Sequence, residues 1–101
     1  MIMKTPEQCE NIAEIRAEID RIDRNIVAAL GERLKYVRAA SQFKTSEASV
    51  RAVERVRSLL EQRRAWAEDE GIDPEVVEKM YRDLLSFFIE SELNDWKSTK
   101  E

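Results

Sequence analysis

The chain has 101 residues, 38% of them charged, with only two glycines, two prolines and a net charge of −4. That length allows one domain over residues 1–101, a small one for independent stability. The acidic balance argues against a nucleic-acid partner, which wants a clear excess of Lys and Arg on one face; a small anion stays open, because local charge can oppose the global balance.

Other absences narrow the chemistry. Without a histidine there is no Ser-His or Cys-His machinery and no His metal ligand. No Gly-rich phosphate loop or dinucleotide fingerprint is present. Any catalysis must therefore rest on carboxylates, Arg, Lys, Gln or hydroxyls, or be mainly positional and electrostatic. The single cysteine, Cys9, cannot make an internal disulfide and fits a reducing compartment. No stretch reads as a membrane span, and Met1–Pro6 lacks the apolar core of a signal peptide, so the expected location is the cytoplasm.

Ala, Leu, Arg, Glu and Lys dominate, and the β-branched residues fall at helical spacing, which makes the expected fold all-α. Asn11 with Glu14 three residues later reads as an N-cap and capping box. Ile12, Ile15, Ile19, Ile22, Ile26, Leu30, Leu34 and Val37 then recur in steps of three and four. They predict one long amphipathic helix running to about Phe43. Gly31 sits inside it, and a closely packed neighbouring helix would explain it. Thr45–Ala52 reads as a polar loop beside Lys44, suited to act as a lid. A second helix is predicted from about Val53 to Glu70, with Val56, Leu59, Leu60 and Trp66 inward and Gly71 as its stop. Asp73-Pro74 is a start signal for a third helix. Its apolar face carries Val77, Met80, Tyr81, Leu84, Leu85, Phe88, Ile89 and Trp96, and the polar tail beyond is expected to fray.

The plan is three helices, the first much the longest. A helix of about 32 residues extends roughly 48 Å, against about 30 Å for a compact globule of this size. Its isoleucine stripe would lie bare over part of its length unless a second copy covered it. An intertwined homodimer answers that need.

The cations of the first helix are the first candidates for chemistry. Arg33 and Lys44, 11 positions apart, fall within about 20° on one continuous helix, with Cα atoms about 16 Å apart. Both side chains can then converge on one ligand. Arg16 lies roughly 25 Å before Arg33 and about 100° off that face. One small ligand cannot meet both within one chain, whereas antiparallel packing in a dimer could bring Arg16 across. On spacing alone, ordinary solvated charges remain the commoner outcome for Arg and Lys. Glu92 is the second anomaly. It is four after Phe88, three after Ile89 and four before Trp96, so a carboxyl occupies an apolar stripe. Buried there it tends to become a neutral hydrogen-bond donor, or else it pairs with a nearby arginine or reaches water near the helix end.

These residues sit in a pattern that resembles the all-helical chorismate mutase family. The run "IAEIRAEIDRIDRNIVAALGERLKYVRAASQFK" is similar to that family's first helix. The lead-in "MKTPEQC", the segment "RRAWAEDEG" and "FFIESELNDW" are closer to its isochorismate pyruvate lyase branch. The resemblance covers nearly the whole chain. It implies conversion of isochorismate to salicylate and pyruvate, with weak chorismate mutase activity, in salicylate or siderophore biosynthesis. It implies a homodimer with shared pockets and no cofactor. Carried over, Arg33 grips one substrate carboxylate and Arg16 of the other copy the second, which suits planar guanidinium forks. Lys44 would meet the ether oxygen where charge grows as the bond breaks. Arg55, in "VERV", matches a further family arginine.

Two departures stand out. The lyase branch has Gln where this chain has Glu92, while some mutases carry Glu there. Mutases also present carboxylates to the ring hydroxyl where this chain has Val53 and Val56, with Glu54 nearby, and that lean favours the lyase. A chorismate mutase proper, or a non-catalytic helical dimerisation or regulatory module, are the competing readings.

Overall fold

The computed structural model describes residues 3–99, so Met1 and Ile2 of the leader reading, and the last two residues of the polar tail, lie outside it. The described residues contain helix, 3-10 turns and connections. Three long helices are present: α1 (Ile12–Ala40), α3 (Val53–Asp69) and α4 (Pro74–Thr99), with a one-turn helix α2 (Glu47–Arg51) between the first two. The all-α class, three long helices and longest first helix follow the sequence pattern. The chain divides into two compact units, Met1–Lys35 and Tyr36–Glu101.

In the first unit, the start of α1 is fastened from both sides. Glu14 N–H donates to Asn11 Oδ1 at 2.9 Å, as the predicted cap requires. The reciprocal half differs, because the Glu14 carboxylate accepts from the Asn11 side-chain amide at 3.2 Å, not from its backbone. The lead-in folds onto the same turns. Lys4 N–H donates to Glu18 at 3.1 Å, and the Lys4 ammonium pairs with Glu14. The Arg21 guanidinium, with that Lys4 N–H, holds the Glu18 carboxyl below the usual carboxylate range.

At 29 residues α1 is about 44 Å long. Its apolar stripe is poorly covered: Ile12, Ile19, Ile22, Ile26 and Val27 are exposed, and Ile22 keeps 48% of its surface. Gly31 has nothing within 4 Å of the place a Cβ would take. The closely packed neighbour expected there is therefore not supplied within the described chain.

The second unit is built on the α3–α4 hairpin. Leu59, Leu60 and Leu85 form its core, with Val56, Tyr81 and Ile89 packed around them. The hairpin is closed by local chemistry. Gly71 takes a left-handed φ of 73°, its N–H donates to Glu68 O at 3.1 Å, and Ile72 N–H reaches Ala67 O at 2.8 Å. Those two bonds satisfy carbonyls that the end of α3 would otherwise leave free. Asp73 Oδ1 then accepts from Glu75 N–H at 2.9 Å, and Pro74 opens α4 as predicted. Across the hairpin Arg64 meets Glu75 at 3.0 Å and Glu78 at 2.9 Å.

Several expectations are corrected. The first α-helix stops at Ala40, and Ser41–Phe43 tightens into a 3-10 turn. Thr45–Ala52 is not a loop, because Ser46 caps α2 reciprocally: Ser49 N–H donates to Ser46 Oγ and Ser46 N–H to Ser49 Oγ, both at 3.1 Å. That order removes the basis for the lid. Trp66 keeps 49% of its surface and is not inward. Instead the Arg63 guanidinium lies over it, 4.5 Å from the ring centroid, and 5.5 Å from that of Tyr81. Met80 is likewise exposed, at the edge of the α4 face. The tail beyond Trp96 stays helical as far as Thr99.

The hairpin's ion pairs carry a pH dependence. Arg82 and then Arg64, both hydrogen-bonded to Glu78, hold its carboxyl below the usual range. A carboxyl lowered by folding adds stability at pH values above its unfolded pKa, and that stability disappears as pH falls through the folded one. Glu78→Gln is thus expected to melt below the parent at neutral pH, with the gap closing in acid. Thermal melts across pH check this, and a gap that stays constant into acid would overturn it.

Candidate active site

Lys44 is the residue around which the second unit's polar side chains gather. The chain reaches it through the 3-10 turn, closed by Lys44 N–H donating to Ser41 O at 3.3 Å. Ser41 is buried, and its Oγ donates to Arg38 O at 2.7 Å, satisfying a carbonyl freed at the end of α1. Lys44 itself is extended, at φ −90° and ψ 138°. It stands outside α1, so the shared helical face predicted for Arg33 and Lys44 does not apply.

Three contacts fix Lys44. Its ammonium donates to Ser49 O at 2.9 Å, a carbonyl in the last turn of α2 that has no helical partner. The same nitrogen lies 3.4 Å from Glu92 Oε2 on α4. One turn further along α4, Trp96 Nε1 donates to the Lys44 carbonyl at 3.0 Å. Asp95 between them pairs with Arg38 at 3.5 Å. Two successive turns of α4 thereby hold both ends of the lysine and the segment leading to it.

Glu92 is buried as its spacing predicted, with 6% of its surface exposed. Its Oε2 accepts no hydrogen bond: the Lys44 ammonium stands within ion-pair range of it while donating to Ser49 O. The cation beside Glu92 is therefore Lys44, where the sequence reading allowed for an arginine. Glu92 Oε2 keeps unused acceptor capacity.

Arg55 is exposed on α3 and, among the described residues, forms no ion pair. Glu54 beside it points its charge at Arg57, 3.5 Å away. Arg16 is exposed and Arg33 half-buried on α1, both in the first unit. The helical rise separates those two by roughly 25 Å, so no single small ligand touches both in one chain. Of the five sequence candidates, the second unit brings Lys44 and Glu92 together. An open groove of about 370 Å³ on the hairpin, lined by Arg57, Arg64 and Arg82 among others, includes none of the five.

Against known proteins, residues 15–93 match the model of the family described as chorismate mutase type II. The chain belongs to that family. The match takes in Arg16, Arg33, Lys44, Arg55 and Glu92 and stops short of Asp95 and Trp96. A relative named isochorismate pyruvate lyase, from Pseudomonas aeruginosa, is 47% identical over 98 residues, which cover 97% of this chain and 97% of the relative. For a chorismate mutase type II chain, the signals missed in the sequence are the partners of Lys44. Ser49 contributes a main-chain oxygen, which no residue type announces. Trp96 was assigned to the apolar face by its spacing, and its indole N–H is what the spacing overlooks.

Proposed function

We propose that the chain cleaves isochorismate to salicylate and pyruvate, with chorismate as a secondary, weakly rearranged substrate. The observation that carries this reading is the pairing of Lys44 with buried Glu92 at 3.4 Å in a chain 47% identical, over nearly its full length, to a protein named for that reaction. In the proposed step a ring hydrogen moves to the enolpyruvyl methylene while the ether C–O bond breaks. The ring becomes aromatic as salicylate and the side chain leaves as pyruvate, so no external base or oxidant is needed.

The chain's own contribution is positional and electrostatic. Lys44 faces the ether oxygen, where a fixed cation stabilises the developing negative charge. Arg33 grips one carboxylate and Arg16 of a second copy the other, folding the side chain over the ring. Arg55 adds a further cation to that shell. Glu92 completes it, donating a hydrogen bond to the ether oxygen when protonated. Val53 and Val56, where a mutase would offer carboxylates to the ring hydroxyl, support cleavage over rearrangement. A cytoplasmic location rests on the lone Cys9, which suits a reducing compartment. Siderophore or other salicylate-consuming assembly follows from the product.

An intertwined homodimer of single chorismate mutase-like domains is part of the same proposal. The exposed isoleucines of α1 support it, since burying the exposed half of one such side chain contributes on the order of 1 kcal/mol.

Three measurements test the reading. Incubated separately with isochorismate and chorismate, the protein is expected to release salicylate rapidly from the first and prephenate slowly from the second. Prephenate as the faster product would make it a mutase, and no turnover of either would leave a non-catalytic module. Glu92→Gln, which keeps a hydrogen-bond donor beside Lys44, is expected to retain isochorismate cleavage, whereas Glu92→Leu, which offers none, should lose most of it; equal activity of the two variants would exclude the donor role. The melting temperature should climb with protein concentration if folding and dimerisation are coupled, and a concentration-independent value would argue for a monomer.

A further inference from the structure

Trp96 belongs to none of the machinery assigned so far, lies beyond the stretch matched by the family, and yet makes a specific polar contact with the reacting segment. Its Nε1 donates to the Lys44 carbonyl at 3.0 Å across 52 positions of sequence. The partner it engages is an extended residue between two helical turns, a place where no backbone ladder fixes the chain. Lys44 N–H is held by Ser41 O on one side, and without Trp96 the carbonyl on the other side would be free to rotate. A peptide rotation there swings the side chain that carries the ammonium.

Trp96 is also one helical turn beyond Glu92, so a single rigid stretch of α4 reaches the backbone and the side-chain head of Lys44 at once. An aromatic side chain suits such a hold. With two rotatable bonds, a bulky apolar body and one donor, it aims a hydrogen bond at little entropic cost.

We infer that Trp96 is a positioning residue, acting through Lys44 to hold its ammonium where the ether oxygen of the substrate will stand. The inference rests on the role proposed for Lys44. Trp96→Phe removes the donor and keeps an aromatic ring. It is expected to lower kcat for isochorismate cleavage about tenfold, as loss of one well-made hydrogen bond would, with KM within about twofold of the parent and the melting temperature little changed. Replacing Trp96 with benzothienylalanine, whose sulfur takes the place of the N–H in a ring of the same size, gives the same readout should the phenylalanine variant fold poorly. In a Lys44→Ala background the loss of the donor should cost nothing further.

Unchanged kcat in both Trp96 variants would overturn the inference. So would an equal additional loss in the Lys44→Ala background, which would mean that Trp96 acts by another route. If Lys44→Ala alone kept full activity, the role proposed for Lys44 would fall, and the inference with it. Collapse of Lys44→Ala beside fully active Trp96 variants would sink the positioning role alone.

Discussion

A buried carboxyl must be answered, and Glu92 is answered by Lys44. Leaving an ionised group unpaired in an apolar setting costs several kcal/mol, and a pair held in good geometry offsets that cost only when its members are fixed. The second unit is arranged to fix them. Ser46 caps α2 so that its last turn offers Ser49 O to the ammonium. The 3-10 turn delivers Lys44 in extended form, and α4 holds it from two successive turns. The hairpin core of Leu59, Leu60 and Leu85 keeps α4 in place while this happens. The same side chains that are proposed to serve the chemistry thus also solve a stability problem.

The first unit poses the opposite problem. Its polar groups are well matched, with Lys4, Glu14, Glu18 and Arg21 joined around the first turns of α1. Its apolar side chains are not, since the isoleucine stripe stays open along most of the helix. Within one helix Arg16 and Arg33 are too far apart to share a ligand. The second copy proposed above would resolve both difficulties at once, covering the stripe and bringing an Arg16 from outside.

Most of the helical plan is legible in the sequence because it rests on local rules. The Asn11 cap, the Gly71 stop and the Asp73-Pro74 start are short-range signals, and each sits where its chemistry needs it. Periodicity also located Glu92 correctly inside an apolar face. What failed depends on competition between local options. Ser, Thr and Ala in Thr45–Ala52 suit a loop or a capped turn equally, and the reciprocal Ser46–Ser49 bonds decided for the turn. Extending α1 to about Phe43 followed the spacing of its apolar residues, but Ser41 drew the chain into a tighter turn by bonding Arg38 O. Trp66 looked inward by spacing, while a guanidinium on its face gave the ring a stable place at the surface. The hold of α4 on Lys44 was out of reach, because contacts 48 and 52 positions apart obey no local period.

Ala52 is at once the C-cap of α2 and the N-cap of α3, and it turns the chain with a left-handed φ of 43° despite carrying a Cβ. Such a conformation costs an alanine about 1–2 kcal/mol, so the junction is held by the helices on either side. There is no slack between them. Adding or deleting one residue here would rotate α2 by about 100° relative to α3 and carry Lys44 and Ser49 together away from Glu92 and Trp96 on α4. Connections between helices are ordinarily where lineages change length most freely. In this chain the stretch from Lys44 to Val53 has a length as tightly constrained as the identity of a core residue, and relatives sharing the contacts of Lys44 with Glu92 and Trp96 should neither lengthen nor shorten it.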